Sequence, residues 1–247
     1  MRFFAPDVHA PGDVVSLPDE EAQHLTRVLR LKAGDAVRVF NGRGGEFEAS
    51  VDQAGKDGVR VAVGQPVAAA PEPRVAVTLA QAVLKGDKMD DVVRDAVMIG
   101  VAAIQPVLSA RSEISAAALA RGKRRERWER IAVSAAKQCG RAVVPPILEP
   151  LGFTALPDAI THMRLPASAL MLIEPGASAD AMTLGELDAT PPREVTLVIG
   201  PEGGWMAEEI AAAAGACRLI TMGGRTIRAD AMATIAVAAL FARWGEF

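Results

Sequence analysis

The order of apolar and polar positions divides the chain into two differently patterned parts. In the first 70 residues the period is two. Val37-Arg38-Val39-Phe40 alternates, and Asn41-Gly42-Arg43-Gly44-Gly45 supplies turn chemistry. Glu46 to Val51 alternates again, and Val59 to Val63 makes another short strand after Asp57-Gly58. One helix interrupts these strands: Asp19 is placed to cap it, and Leu25, Val28 and Leu29 supply its apolar stripe. Short strands at close spacing predict a small barrel. Pro66, Ala68-Ala69-Ala70, Pro71 and Pro73 read as a linker, which puts a domain boundary near residue 73.

Beyond that point strands and helices alternate. Val75 to Leu79 is a buried-strand run, followed by a helix with Met89, Val92, Val93 and Ala96 on one face. Ile104 to Leu108, Ala169 to Ile173, Val195 to Ile199 and Leu219 to Met222 are further strands. Trp128, Ile131, Ala132, Ala135 and Cys139 mark a helix, and Val237, Leu240, Phe241 and Trp244 mark the last one. Trp128 and Trp244 are therefore expected in the core. The pattern predicts an α/β domain with a mainly parallel sheet and helices on both faces.

Composition narrows the class. At 247 residues, half of them hydrophobic, the chain can bury a core without disulfides or metal staples. The longest uncharged apolar run, Ala231 to Ala242, is too short to span a bilayer, and the N-terminus carries no signal-peptide core. With Cys139 and Cys217 as its two cysteines, a cytoplasmic location is expected. His9, His24 and His162 lie apart from any ligand cluster, so no metal is expected.

The net charge of −3 hides an asymmetry. From Arg111 to Arg141 nine basic residues face three acidic ones, a net +6 that leaves −9 for the rest. Such a patch suits a polyanion, and it equally suits a solvated helix face with pairs such as Glu126 and Arg130.

In a parallel sheet, ligands bind beyond the carboxyl ends of the strands. Two glycine-rich turns stand at such ends. Ile199-Gly200-Pro201-Glu202-Gly203-Gly204 runs towards a helix near Ala207, and Met222-Gly223-Gly224-Arg225-Thr226-Ile227-Arg228 runs into the last helix. Glycine lets main-chain groups approach a ligand, and a helix start attracts an anion. Nucleotide-binding and nucleophile-elbow signatures are absent.

These two runs resemble the cofactor loops of the SPOUT methyltransferases, and the whole chain resembles the RsmE family of 16S ribosomal RNA uridine-N3 methyltransferases. His24-x-x-x-Val28-Leu29-Arg30, Gly34-Asp35, Lys85-Gly86-Asp87-Lys88-Met89, Gly100-Val101, Gln138-Cys139-Gly140-Arg141 and Pro146-Ile147 carry the likeness through both parts. The resemblance implies a PUA-like RNA-binding barrel over residues 1–73. It also implies a SPOUT domain with a deep trefoil knot over 74–247, and a homodimer. S-adenosyl-L-methionine would lie against Leu172, Glu174, Ile199, Gly200, Pro201, Glu202, Gly203, Gly204, Met222, Gly223 and Ile227. The substrate would be a uridine of 16S RNA; because a net charge of −3 leaves little charge for naked RNA, the assembled 30S subunit is the expected form. The chain departs from the family pattern at Met98, Ala110 and Lys137, where carboxylates are usual, and at Asp230, where the family has the longer Glu.

Attack by uracil N3 requires loss of the imide proton, so a cation and a base are needed. Arg228 fits the cation and Asp230 is the nearest base, unless the two only pair with each other at the helix start. Arg27, Arg30, Lys85, Lys88 and Arg111 are candidates for RNA phosphates. Glu202 can orient its loop by accepting backbone N–H groups, and His24 is expected to be packed. The alternatives are another RNA base, a 2′-hydroxyl target, or an RNA-binding assembly factor without catalysis.

Overall fold

The computed structural model describes residues 1–55, 58–162, 165 and 168–247; the predicted turn residue Asp57 lies outside them. Its elements run β1 Arg2–Phe4, β2 Val14–Ser16, α1 Asp19–Gln23, β3 Ala36–Phe40, β4 Glu46–Gly55 and β5 Gly58–Pro66. There follow β6 Ala76–Ala82, α2 Lys88–Ile99, β7 Ala103–Leu108, α3 Ala116–Arg121 and α4 Arg124–Cys139. Then come β8 Leu151–Gly152, α5 Leu156–Thr161, β9 Ala169–Leu172 and β10 Met182–Thr183. β11 Glu194–Ile199, α6 Ala207–Ala213, β12 Arg218–Thr221 and α7 Ala229–Trp244 complete the chain. Two compact units result: Met1–Glu72 with Val133–Val144, and Pro73–Ala132 with Pro145–Phe247.

In the first unit, five strands form one sheet in the order β1-β3-β4-β5-β2. β1 is parallel to β3, and the other pairs are antiparallel. The alternation read from the sequence has its cause here: Val37, Val39, Val51 and Val61 point into a core with Phe3 and Leu25, while their polar neighbours face out. The α1 region departs from expectation. The helix begins at Asp19 behind Pro18, so Asp19 is no cap and no side chain caps it. Residues His24–Val28 form a π-helical turn, closed by Leu29 N–H donating to the His24 carbonyl at 3.1 Å. The wider turn shifts the helical phase, so Leu25 stays buried while Val28 is 69% exposed.

The end of α4 belongs to this unit because Arg2 binds it. The Arg2 guanidinium donates to the carbonyls of Ala136, Lys137, Gly140 and Arg141, and pairs with buried Glu46 at 2.8 Å. A single side chain thus satisfies two of the carbonyls that the helix end leaves without intrahelical partners, and two just beyond it. His24 is packed as expected. Its Nδ1 lies 3.1 Å from Lys137 Nζ, which also pairs with Glu21 at 2.7 Å and lies over the Phe3 ring.

The second unit holds a seven-stranded sheet in the order β10-β12-β9-β11-β6-β7-β8, parallel at every pair. β9 is buried throughout and β11 from Val195 onward, as expected of strands covered on both faces. β12 inserts between β9 and β10, which are consecutive in the chain. α2 buries Met89, Val92, Val93 and Ala96, and α7, packed beside it, buries Val237, Leu240, Phe241 and Trp244. Trp128 is buried and donates its indole N–H to Asp90 at 3.1 Å. Among the described residues no helix is long and apolar enough to cross a membrane.

Candidate active site

β12, β9 and β11 are neighbours, and their carboxyl ends feed the loops at 222–228, 173–175 and 200–204. The three loops enclose one cavity of about 350 Å³. Leu172, Glu174, Ile199, Gly200, Pro201, Glu202, Gly204, Met222 and Ile227 line it, together with Arg228, Asp230 and Lys88. Gly203 and Gly223 stand in the same loops but are not part of its wall. The sequence reading missed Ile173, Trp205, Arg225, Thr226, Ala229 and Met232 as wall residues. A tryptophan directly after Gly203-Gly204 was the available signal.

The first loop is shaped by close approaches. Gly204 has φ +69°, and a Cβ there would overlap the Glu174 carboxylate. Its N–H closes a turn onto the Pro201 carbonyl at 3.0 Å. A Cβ at Gly200 would lie 3.0 Å from Trp205 Nε1. The Trp205 indole donates to the Leu172 carbonyl at 2.9 Å, and its ring packs 5.0 Å from Phe153. One side chain therefore joins the ends of β9 and β11 and walls the cavity.

Charged groups fix the rim. Glu202 accepts from Lys88 Nζ at 2.9 Å and from the Lys85 N–H at 3.2 Å, tying the first glycine loop to the start of α2. Burial alone would raise its pKa; the hydrogen bonds from Lys88 and the Lys85 main chain outweigh that and hold it below the ordinary value. Lys85 Nζ pairs with Glu113 at 3.0 Å. Arg111 donates to the Gly203 carbonyl and to Met206 Sδ, so it braces the loop.

At the start of α7, Arg228 grips Asp230 through two contacts, Nε to Oδ1 at 3.1 Å and Nη2 to Oδ2 at 2.6 Å. The hydrogen bond and charge of Asp230 raise the Arg228 pKa; the same bond from Arg228 is the chief force holding the Asp230 carboxyl below its usual range. Asp230 is thus a weak base at neutral pH. The Arg228 side chain is 75% exposed and free to meet a second partner. Arg225 also lines the cavity and has no ion-pair partner among the described residues.

Much of the basic segment is already neutralised. Arg125 pairs with Glu129 and Glu149, Arg127 with Asp87 and Asp90, Lys123 with Glu126, Lys137 with Glu21 and Arg141 with Glu72. Arg27 and Arg30, the latter at φ +56°, are exposed on the first unit. Among the described residues no group of three or more His, Cys, Asp or Glu could hold a metal ion.

These features meet their counterpart in known families. Residues 71–241 match the RNA methyltransferase domain model and residues 17–63 the RNA methyltransferase PUA domain model. The chain is an RNA methyltransferase, in which a PUA-like domain is followed along the sequence by a mainly parallel α/β domain. A Synechocystis ribosomal RNA small subunit methyltransferase E is 29% identical over 91% of this chain and 71% of its own length. The Neisseria gonorrhoeae ribosomal RNA small subunit methyltransferase E, solved with bound S-adenosyl methionine, is 31% identical with a TM-score of 0.84, covering 98% and 97% of the two chains. A Legionella pneumophila methyltransferase in complex with bound cofactor SAM is 30% identical with a TM-score of 0.86, covering 98% and 96%. The chain belongs to the ribosomal RNA small subunit methyltransferase E family.

Proposed function

We propose that this protein transfers a methyl group from S-adenosylmethionine to N3 of a uridine in 16S ribosomal RNA within the small subunit, in the cytoplasm. The observation that carries the reading is the meeting of both glycine loops on one cavity. The cavity suits the cofactor. It is of the size that small ligands need, its walls are apolar at Leu172, Ile199, Met222 and Ile227, and its loops bring main-chain groups close. When bound, S-adenosylmethionine supplies a methyl group on a sulfonium, whose departure as a thioether needs no general acid.

The chain's own residues do the rest. Main-chain groups of 199–204 and 222–227 hold and orient the donor. Arg228 faces the charge that develops on the uracil as its imide proton leaves. Asp230, held ionised, orients that guanidinium and is a poor proton acceptor at neutral pH, so the imide proton passes to solvent before N3 attacks. Trp205 and the aliphatic wall keep water from the donor. The exposed cations Arg27, Arg30 and Lys85 hold RNA phosphates, whereas Lys88 and Arg111 shape the loops first. With so much of the basic segment paired internally, the assembled 30S particle is the preferred substrate over naked RNA. Residues 1–73 serve RNA holding and 74–247 methyl transfer.

A homodimer is supported by α7. From Ala231 to Ala242 it carries no charge, and its outer face of Met232, Thr234, Ile235, Ala238 and Ala239 is half-buried or exposed, Ile235 to 41%. A helix apolar all round is normally covered. Met232 also lines the cavity, so a second copy on this face would complete the site. The test is mass mapping of 16S RNA from a strain lacking the gene. Loss of one N3-methyluridine, restored by the gene, is expected; an unchanged methylation pattern overturns the reading.

A further inference from the structure

We infer that Gln81 is a positioning residue for the cofactor loop, acting through the Gly200 carbonyl; the inference rests on the cofactor reading above. Gln81 stands at the carboxyl end of β6, in register with Ile199 of β11, the residue that opens the first glycine loop. Its side chain is fully buried and is not part of the cavity wall. The amide Nε2 donates to the Ala82 carbonyl at 3.0 Å and to the Gly200 carbonyl at 3.4 Å. Its Oε1 is buried and meets no donor among the described residues.

The orientation of this amide follows from its surroundings. Turned over, it would set Oε1 against two carbonyl oxygens, so only the donor end can face them. An unpaired buried acceptor is a burden on the fold, and an apolar side chain of similar size would fill the space without it. What glutamine adds at this place is a donor beneath Gly200. The next residue, Pro201, has no N–H and a fixed φ, so the Gly200–Pro201 peptide has only its carbonyl to be tethered by. Trp205 crowds Gly200 from its other side. With the carbonyl held, the main-chain groups of 200–204 keep one direction towards the cavity.

The test compares wild type, Gln81→Glu and Gln81→Met by calorimetric titration with S-adenosylhomocysteine at mildly alkaline and mildly acidic pH, with melting curves of the unliganded proteins. Gln81→Glu is isosteric, and above neutral pH its carboxylate offers Gly200 no donor. Its dissociation constant is expected to rise about tenfold there. Burial favours protonation of that carboxyl, so on acidification it regains an O–H donor and the affinity returns to within about threefold of wild type. Gln81→Met loses about tenfold at both pH values while keeping its melting temperature. The loss in Gln81→Met at an unchanged melting temperature is a signature that mere loosening of the core would not give. A loss in Gln81→Glu that acid does not repair, or wild-type affinity in Gln81→Met, overturns the role of Gln81. Failure of the wild type to bind S-adenosylhomocysteine overturns the cofactor reading instead.

Discussion

Alanine at Gly204 sets two costs against the first glycine loop. The backbone there sits at φ +69°, a conformation that costs a residue with a Cβ about 1–2 kcal/mol. The added Cβ also overlaps the Glu174 carboxylate, which must swing out of the cavity wall. Two other glycines separate these effects. Gly223, at φ +75° with no heavy atom within 4 Å of a built Cβ, carries the backbone cost alone. Gly224 has the same open space and no positive φ, so it carries neither. Where the loop relieves the strain by leaving its ligand-ready shape, the cost falls on binding, and about 1–2 kcal/mol is roughly a 5–30-fold loss of affinity. Calorimetric titration of the three alanine variants with S-adenosylhomocysteine is expected to rank them Gly204→Ala weakest, Gly223→Ala intermediate and Gly224→Ala near wild type. An unaffected Gly204→Ala, or a Gly224→Ala as damaged as Gly204→Ala, refutes the reasoning.

Four further outcomes are expected. Arg228→Ala lowers kcat by about 100-fold or more, as loss of a charge-stabilising donor does, while Asp230→Asn costs only about tenfold; single-turnover methylation rates check this, and a larger loss at Asp230 would make it the base. The Glu202 carboxyl titrates below its ordinary value, so its ties to Lys88 and Lys85 stabilise the fold above that value and are lost as pH falls through the lowered one. Glu202→Gln therefore lowers the melting temperature at neutral pH and hardly at all in strong acid, and an equal loss at both contradicts the assignment. Lys137→Ala leaves Glu21 nearly buried without its partner and destabilises the protein by about 3 kcal/mol in urea titrations, of which a second change, Glu21→Gln, restores most. Burial pushes the Cys217 thiol up to about 11, so alkylation of the native protein at mildly alkaline pH labels half-buried Cys139 first; equal labelling of both counts against the packed core around Cys217.

The sequence made the parallel sheet legible because its strands are covered on both faces and so read as unbroken apolar runs, as at Val75 to Leu79 and Val195 to Ile199. The cavity was legible because glycine is required where main chain meets a ligand or a neighbouring side chain, as Gly204 and Glu174 illustrate. Val28 was misread because a π-helical turn breaks the period that places an apolar residue inward. Asp19 was misread because Pro18 takes the capping position and Asp19 is the first helical residue. Two- and three-residue strands such as β1, β2 and β8 are too short for any period to show. The charge surplus between Arg111 and Arg141 was real in sequence and much reduced in space, since its partners Asp87, Asp90, Glu149, Glu21 and Glu72 lie far off along the chain. Gln81 left no pattern at all, because its meaning comes from one carbonyl more than a hundred residues away.

Incubation of the purified protein with unmethylated 30S particles and isotopically labelled S-adenosylmethionine, followed by mass mapping of the RNA, bears most directly on the central claim. The account predicts one labelled methyl group, on N3 of a single uridine of 16S RNA, and its disappearance in Arg228→Ala. Label on a ribose, on another base or nowhere would contradict it.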